Sequence, residues 1–347
     1  MVIYTYLNKR KEWKMMKKTK QIVFMATVVV TMILFISTAE AKALTLRFAY
    51  VAPIGTINHE VGEKFKESVE KLTGGEIKVN LFPGGQLGNL PQMFGQLKKG
   101  SIDFFKTDVV VASMVGGAKS LSVLAAPYLF RDQDHFEKFC KSQLFKELAS
   151  EIETKNGIRW IGLLADRSPR AVTTRNKMIL VPDDLKGQKI RAPKATILSK
   201  VVKGWGASAA IVAVPEMYNA MKQKVVDGQE NGLEIVDGMK LYEIQKYFTA
   251  TDHMLSAECL WMNQKRWDSL NPTQQEVIVK AAKIAREYGN QRLKEATLMW
   301  FDRCRENGMT IVMPPLKPWI DASKKVIEDL DGKEWPKGLY AKIQSIK

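Results

Sequence analysis

Histidine and cysteine are both scarce in this chain of 347 residues, three of each, and the scarcity removes several chemistries. Cys140, Cys259 and Cys304 are far apart and form no C-x-x-C pair, so zinc-ribbon and dithiol-redox motifs lack their ligands. One disulfide is chemically open in an oxidising compartment, with buried free thiols as the alternative. His59, His135 and His253 belong to no H-E-x-x-H and to no metal-ligand spacing, and each reads as structural. No G-x-S-x-G offers an activated serine, and no G-x-x-x-x-G-K-[ST] offers a nucleotide-phosphate loop. "GWGASA", Gly204 to Ala209, has dinucleotide-fingerprint spacing but follows a helical pattern, where that fingerprint needs a strand. "DGQENG", Asp227 to Gly232, opens like a calcium loop. Gln229 then replaces an acid, and Gly238 stands where a bidentate glutamate belongs. No metal and no cofactor is expected, and enzyme chemistry finds no foothold.

Long apolar runs are also missing, with one exception. Residues 1–20 carry seven Lys/Arg and one Glu, Ile22–Ser37 is apolar apart from its hydroxyls, and "AEAKA" follows at Ala39–Ala43. A basic, then apolar, then A-x-A order is that of a secretory signal peptide cleaved near residue 41. The alternative is a membrane anchor, for which 16 residues are short. Met15-Met16 offers an internal start directly before a basic stretch. No cysteine follows the run, which argues against a lipid anchor. Beyond residue 41 the chain holds 46 Lys/Arg and 35 Asp/Glu, a net charge of about +11. No basic tract is interleaved with aromatics, so nucleic acid is not an expected partner. A positive field of this size instead favours anionic solutes.

The remaining length suits about two domains. Leu44–Tyr50 alternates like a strand. Val61, Phe65, Val69 and Leu72 then recur at helical spacing up to Gly74-Gly75. Ile77, Val79 and Leu81 mark a second strand, "PQMFGQLKKG" a short helix and "SIDFF" a third strand. This alternation predicts an α/β fold with parallel strands and crossover helices. "GIRWIGLL" and "KIRAP" read as strands, and "ATILSKVVKGWGA" and "PEMYNAMKQKVVDG" as helices. Asn271–Gly308 is one very long helical pattern, with Asn271 to cap it, Pro272 in its first turn and Gly308 at its end. Over 30 residues correspond to more than about 45 Å, long enough to span two domains.

A polar set stands out inside these apolar segments. Arg167 and Arg170 follow the Ile158–Leu164 strand, Arg191 lies within "KIRAP" opposite in face to Ile190, and Asp227, Glu230 and Asn231 read as the end of an apolar helix. Ligands of α/β sheets collect in crevices at strand ends, and a guanidinium is shaped to grip a carboxylate with two parallel hydrogen bonds. The competing reading is a structural ion pair, for example Arg191 with Asp227.

At these residues the chain resembles the solute-binding proteins of tripartite ATP-independent periplasmic (TRAP) transporters, of the DctP type. The likeness runs through "KLTGGEIKVNLFPGGQLG", "KKGSIDF", "APYLFRDQDHF", "VPDDLKGQKIRAP", "PEMYNAMKQKVVDGQEN", "YFTATDH" and "WDSLNPTQQEVI", in order, over essentially the whole chain after residue 41. It implies a two-lobed periplasmic binding protein fold, with a central cleft closing on an organic anion and a long helix spanning both lobes. Lobe I would be residues 42–167 with 257–296, and lobe II 168–256 with 297–347. The resemblance assigns the carboxylate salt bridge to Arg191, a second arginine to Arg170, a cleft asparagine to Asn231 and a polar contact to Asp108, with Val214 and Tyr50 also in the site. Val214 stands where relatives often carry an aromatic residue, and Val51 where sialic-acid binders carry Asn. Both departures point toward a small hydroxylated acid and away from sialic acid. The implied partners are a small organic acid and the small and large membrane subunits of a TRAP permease, the implied location the periplasm, and the implied state a monomer. A sensor subunit presenting its ligand to a receptor is the alternative within binding. An exported enzyme using Asp108 or Glu230 as a base is the alternative outside it.

Overall fold

The computed structural model describes residues 11, 13–25, 43–111, 117–193 and 196–347. Residues 13–25 are an exposed helix, in which the Lys17 ammonium lies 3.9 Å from the Trp13 ring centroid. No helix among the described residues is long and apolar enough to cross a membrane. Most of the Ile22–Ser37 run, and the A-x-A stretch up to residue 42, lie outside the described residues.

From Leu44 onward the chain builds two sheets. The first contains β1 (Leu44–Ala49), β2 (Ile77–Phe82), β3 (Phe104–Asp108), β4 (Ile158–Asp166) and β10 (Ala257–Asn263), ordered β2-β1-β3-β10-β4. The β1–β2 and β1–β3 pairs are parallel, as the strand–helix alternation predicts. The late strand β10 returns to insert antiparallel between β3 and β4. The second sheet contains β5 (Ala171–Thr174), β6 (Lys189–Ala192), β7 (Ser208–Ile211), β8 (Gly228–Asn231), β9 (Tyr247–Thr249) and β11 (Thr310–Val312), ordered β11-β9-β5-β8-β6-β7. Each sheet anchors one lobe. The chain passes between them after Asp166 and again between Thr249 and Ala257.

The long helix is Pro272–Glu306, about 52 Å at 1.5 Å per residue. Asn271 accepts from the Gln274 amide at 2.9 Å while the Gln274 side chain accepts from the Asn271 amide, a reciprocal cap. Its inward face steps through both lobes. Ile278, Ala281, Ala282 and Ala285 join the apolar core of the first lobe, and Ala296, Trp300 and Cys304 join that of the second. Small residues let the backbone come close. At Gly289 a Cβ would stand 2.6 Å from Val61 and 3.0 Å from Ala165. All three cysteines are free.

One sequence reading needs correcting here. Asp227, Glu230 and Asn231 do not end a helix. The helix stops at Lys222, Lys224 turns the chain with φ +62°, and Gly228–Asn231 is the central strand β8. It pairs antiparallel with β5 and parallel with β6. Its buried side chains are polar, so no apolar alternation announces it as a strand.

Candidate functional site

Each lobe delivers side chains to the gap between the two sheets. From the first lobe, β3 supplies Lys106 and Asp108, and β10 supplies Glu258 directly opposite Asp108. From the second, β6 supplies Arg191 and β8 supplies Glu230 and Asn231. Arg167 and Arg170 lie on the crossing segment between β4 and β5. All of these but Glu230 line a cavity of about 70 Å³, continuous in its lining with a second of about 140 Å³. All six residues expected from the sequence (Tyr50, Asp108, Arg170, Arg191, Val214 and Asn231) line the first cavity, and Val214 and Arg191 line both. The lobes are closed over it, since Arg191 is 1% exposed and Asp108 4%.

The buried charges pair selectively. Arg167 spans the gap: its Nη1 donates to Asp108 at 2.5 Å, its Nε to Glu234 at 2.8 Å and its Nη2 to Asn231 at 2.9 Å. Burial alone would lower its basicity, but Glu234 and Asp108 more than offset this and raise it. Arg170 donates to both carboxylate oxygens of Glu230, from Nε at 2.6 Å and from Nη2 at 2.8 Å. His253 stands 3.4 Å from the same carboxylate. Burial would raise the Glu230 pKa, but Arg170 and His253 hold it at about 2.

Arg191 is different. Its Nε donates to the Val212 carbonyl at 2.9 Å, while its Nη2 is buried without a partner. No ion pair to a carboxylate forms among the described residues. Burial pushes the guanidinium down to about 10, with Glu230 opposing and Arg170 adding to the shift. It stays charged at neutral pH. The pair with Asp227 does not exist. That carboxylate takes Arg175 at 3.2 Å and the Lys189 amide at 2.8 Å, at the outer end of the strand.

Asp108 lines the cavity, but its oxygens are occupied. One accepts from the Val110 amide at 2.9 Å, and the other from Arg167 and from Ser256 at 2.9 Å. Asn58 and Glu258 also line the cavity, and neither was singled out in the sequence. Lys106 Nζ donates to the Asn58 carbonyl at 2.6 Å, sits 4.8 Å from the Tyr50 ring and 3.9 Å from Glu258. Nothing local in "AECLWMN" separates Glu258 from an edge-strand charge. Only its insertion between β3 and β4 buries it.

Two lobes joined by crossing segments and one long helix, closed over a buried cation that makes no ion pair among the described residues, define a binding protein for an anionic solute. The chain belongs to the DctP family, the bacterial extracellular solute-binding proteins of family 7, whose model matches residues 48–333. It is a periplasmic solute-binding protein of the TRAP type, which captures a small organic acid and delivers it to a TRAP permease. The chain is similar to the 2,3-diketo-L-gulonate-binding periplasmic protein YiaO of Escherichia coli, 28% identical over 87% of this chain and 91% of that one. Its fold is similar to a TRAP solute-binding protein of Roseobacter denitrificans with bound L-galactonate, with a TM-score of 0.79 and 26% identity over 87% and 98% of the two chains. A Polaromonas protein bound to D-erythronate superposes with a TM-score of 0.81 at 24% identity, over 88% and 99%.

Proposed function

We propose that the captured solute is a small hydroxylated monocarboxylate, that Arg191 holds its carboxylate, and that no chemistry follows. The observation that carries this is the buried Arg191 guanidinium, 1% exposed with Nη2 unpartnered. An unpaired buried charge is expensive, and a ligand carboxylate entering the cavity would supply the missing pair by a forked contact. Arg170, Asn231, Asp108, Tyr50 and Val214 form the wall around it. The protein named for 2,3-diketo-L-gulonate and the structure holding L-galactonate both concern six-carbon acids with one carboxylate, which supports the same class here. Catalysis is disfavoured because the two candidate bases are committed: Glu230 is held at about 2 by its partners, and Asp108 accepts from three groups. In this reading a cleaved signal peptide within residues 1–41 exports the chain. It works as a monomer and hands the solute to a permease of one small and one large membrane subunit. Calorimetry against hydroxy acids, with mass spectrometry of co-purified ligand, tests the assignment. Arg191→Ala should weaken binding at least 100-fold with the fold intact, since removing one side of a buried pair costs about 3–5 kcal/mol. Near-normal affinity in that variant, or conversion of the bound acid, would sink the reading.

A further inference from the structure

We infer that Glu258, together with Lys106, is the residue pair that selects the solute's tail, recognising hydroxyl groups and excluding a second carboxylate. The inference rests on the carboxylate-anchoring reading of Arg191 and extends it to the opposite lobe. Glu258 is 8% exposed and lines the cavity, yet no hydrogen bond reaches its carboxylate among the described residues. The cations nearest to it among the described residues are Lys106 and Arg167, each at 3.9 Å, beyond hydrogen-bond length. A carboxylate has about four acceptor sites, and a buried polar group left without partners is costly. Asp108, the residue the sequence points to for this task, has already given its oxygens to Val110, Arg167 and Ser256.

Lys106 completes the pair. It is 1% exposed, and one of its three ammonium donors is used on the Asn58 carbonyl. Its remaining donors and the Glu258 oxygens offer what a hydroxyl needs, one donor and one acceptor. A group that both donates and accepts can therefore bridge the 3.9 Å gap that the two side chains leave open.

The charge balance sets the selectivity. Lys106, Arg167, Arg170 and Arg191 face Asp108, Glu230, Glu234 and Glu258, and Arg167 takes two of those carboxylates. That leaves one cation, Arg191, for one ligand carboxylate. A second ligand carboxylate would meet Glu258 and Asp108, whose charges Lys106 and Arg167 already balance, and like charges in a buried site repel. Burial and the neighbouring carboxylates already raise the Glu258 pKa in spite of Lys106 and Arg167.

The test is isothermal titration of wild type, Glu258→Gln and Arg191→Ala with D-erythronate, L-galactonate and succinate, with thermal melts to verify folding. Wild type should bind at least one of the two hydroxy acids 100-fold or more tighter than succinate. Glu258→Gln should weaken that hydroxy acid by about tenfold or more and bind succinate more tightly than wild type does, so that the preference collapses. Binding unchanged in Glu258→Gln overturns the inference while leaving the Arg191 anchor standing if Arg191→Ala has lost all binding. Wild type that binds neither hydroxy acid, or binds succinate equally well, overturns it too. Full binding in Arg191→Ala would instead remove the anchor on which it rests.

Discussion

Arg170 and Arg191 are nearly equally buried, at 3% and 1% exposed, yet their substitutions should act in opposite directions. Arg170 neutralises Glu230, so Arg170→Met strands a buried carboxylate and should destabilise the protein by about 3–5 kcal/mol. Arg191 forms no ion pair among the described residues, so Arg191→Met should leave the ligand-free melting temperature unchanged or higher while abolishing binding. Calorimetric melts of both variants decide the matter. Equal losses would mean that Arg191 is a structural residue after all. The Glu230 pair also fixes a pH signature. Its folded pKa of about 2 lies below the ordinary glutamate value of about 4.3. Its contribution is therefore complete above that ordinary value and is lost as pH falls toward 2. The stability gap between wild type and Glu230→Gln should be widest near neutrality and shrink from about pH 4.5 downward. A gap that did not change across that range would contradict the pairing.

At the scale of elements, β8 carries the greatest constraint. Gly228 begins it, and a Cβ there would stand 2.0 Å from the backbone oxygen of Thr173 on β5. Backbone cannot yield as a side-chain tip can, so Gly228→Ala must push β5 and β8 apart. Overpacking of this kind costs about 1–3 kcal/mol, sometimes more. The same displacement would shift Glu230 and Asn231, two and three residues along the strand. Gly228→Ala should therefore lose stability and solute affinity together, measured by urea denaturation and by titration of the same sample. Lost stability with unaltered affinity would show that the strand does not set the position of the cavity wall. The long helix shows the same economy at Gly289, where it crosses Val61 and Ala165.

For the whole molecule, the closed arrangement is fastened by side chains reaching across the gap. Arg167 holds Asp108 of the first sheet's β3 while also holding Glu234 and Asn231 on the second lobe. Such contacts must part for a solute to enter a cavity whose lining is this buried. The two crossing segments and the long helix leave hinge bending as the available motion. Small-angle scattering should show a ligand-free ensemble that contracts on saturation with a bound hydroxy acid. Superimposable profiles with and without ligand would argue against hinge closure.

The sequence by itself determined the α/β class, the long helix with its Asn271 cap and Pro272 start, and the position of Arg191 on the face opposite Ile190. These follow from local periodicity, capping chemistry and strand alternation, which are written in neighbouring residues. Its motifs also pointed to the six cavity residues. Tertiary structure alone decided how the charges pair. Arg167, read only as a neighbour of Arg170, became the link across the gap. Asp108 became an acceptor already filled, and Glu258 one still open. Asp227 left Arg191 for Arg175. Strand β8 went unread because its polar side chains are buried by the sheets around it and not by any pattern of its own. A guanidinium's partner is chosen by which carboxylate the fold brings within about 3 Å, and that distance is set between strands far apart in the chain.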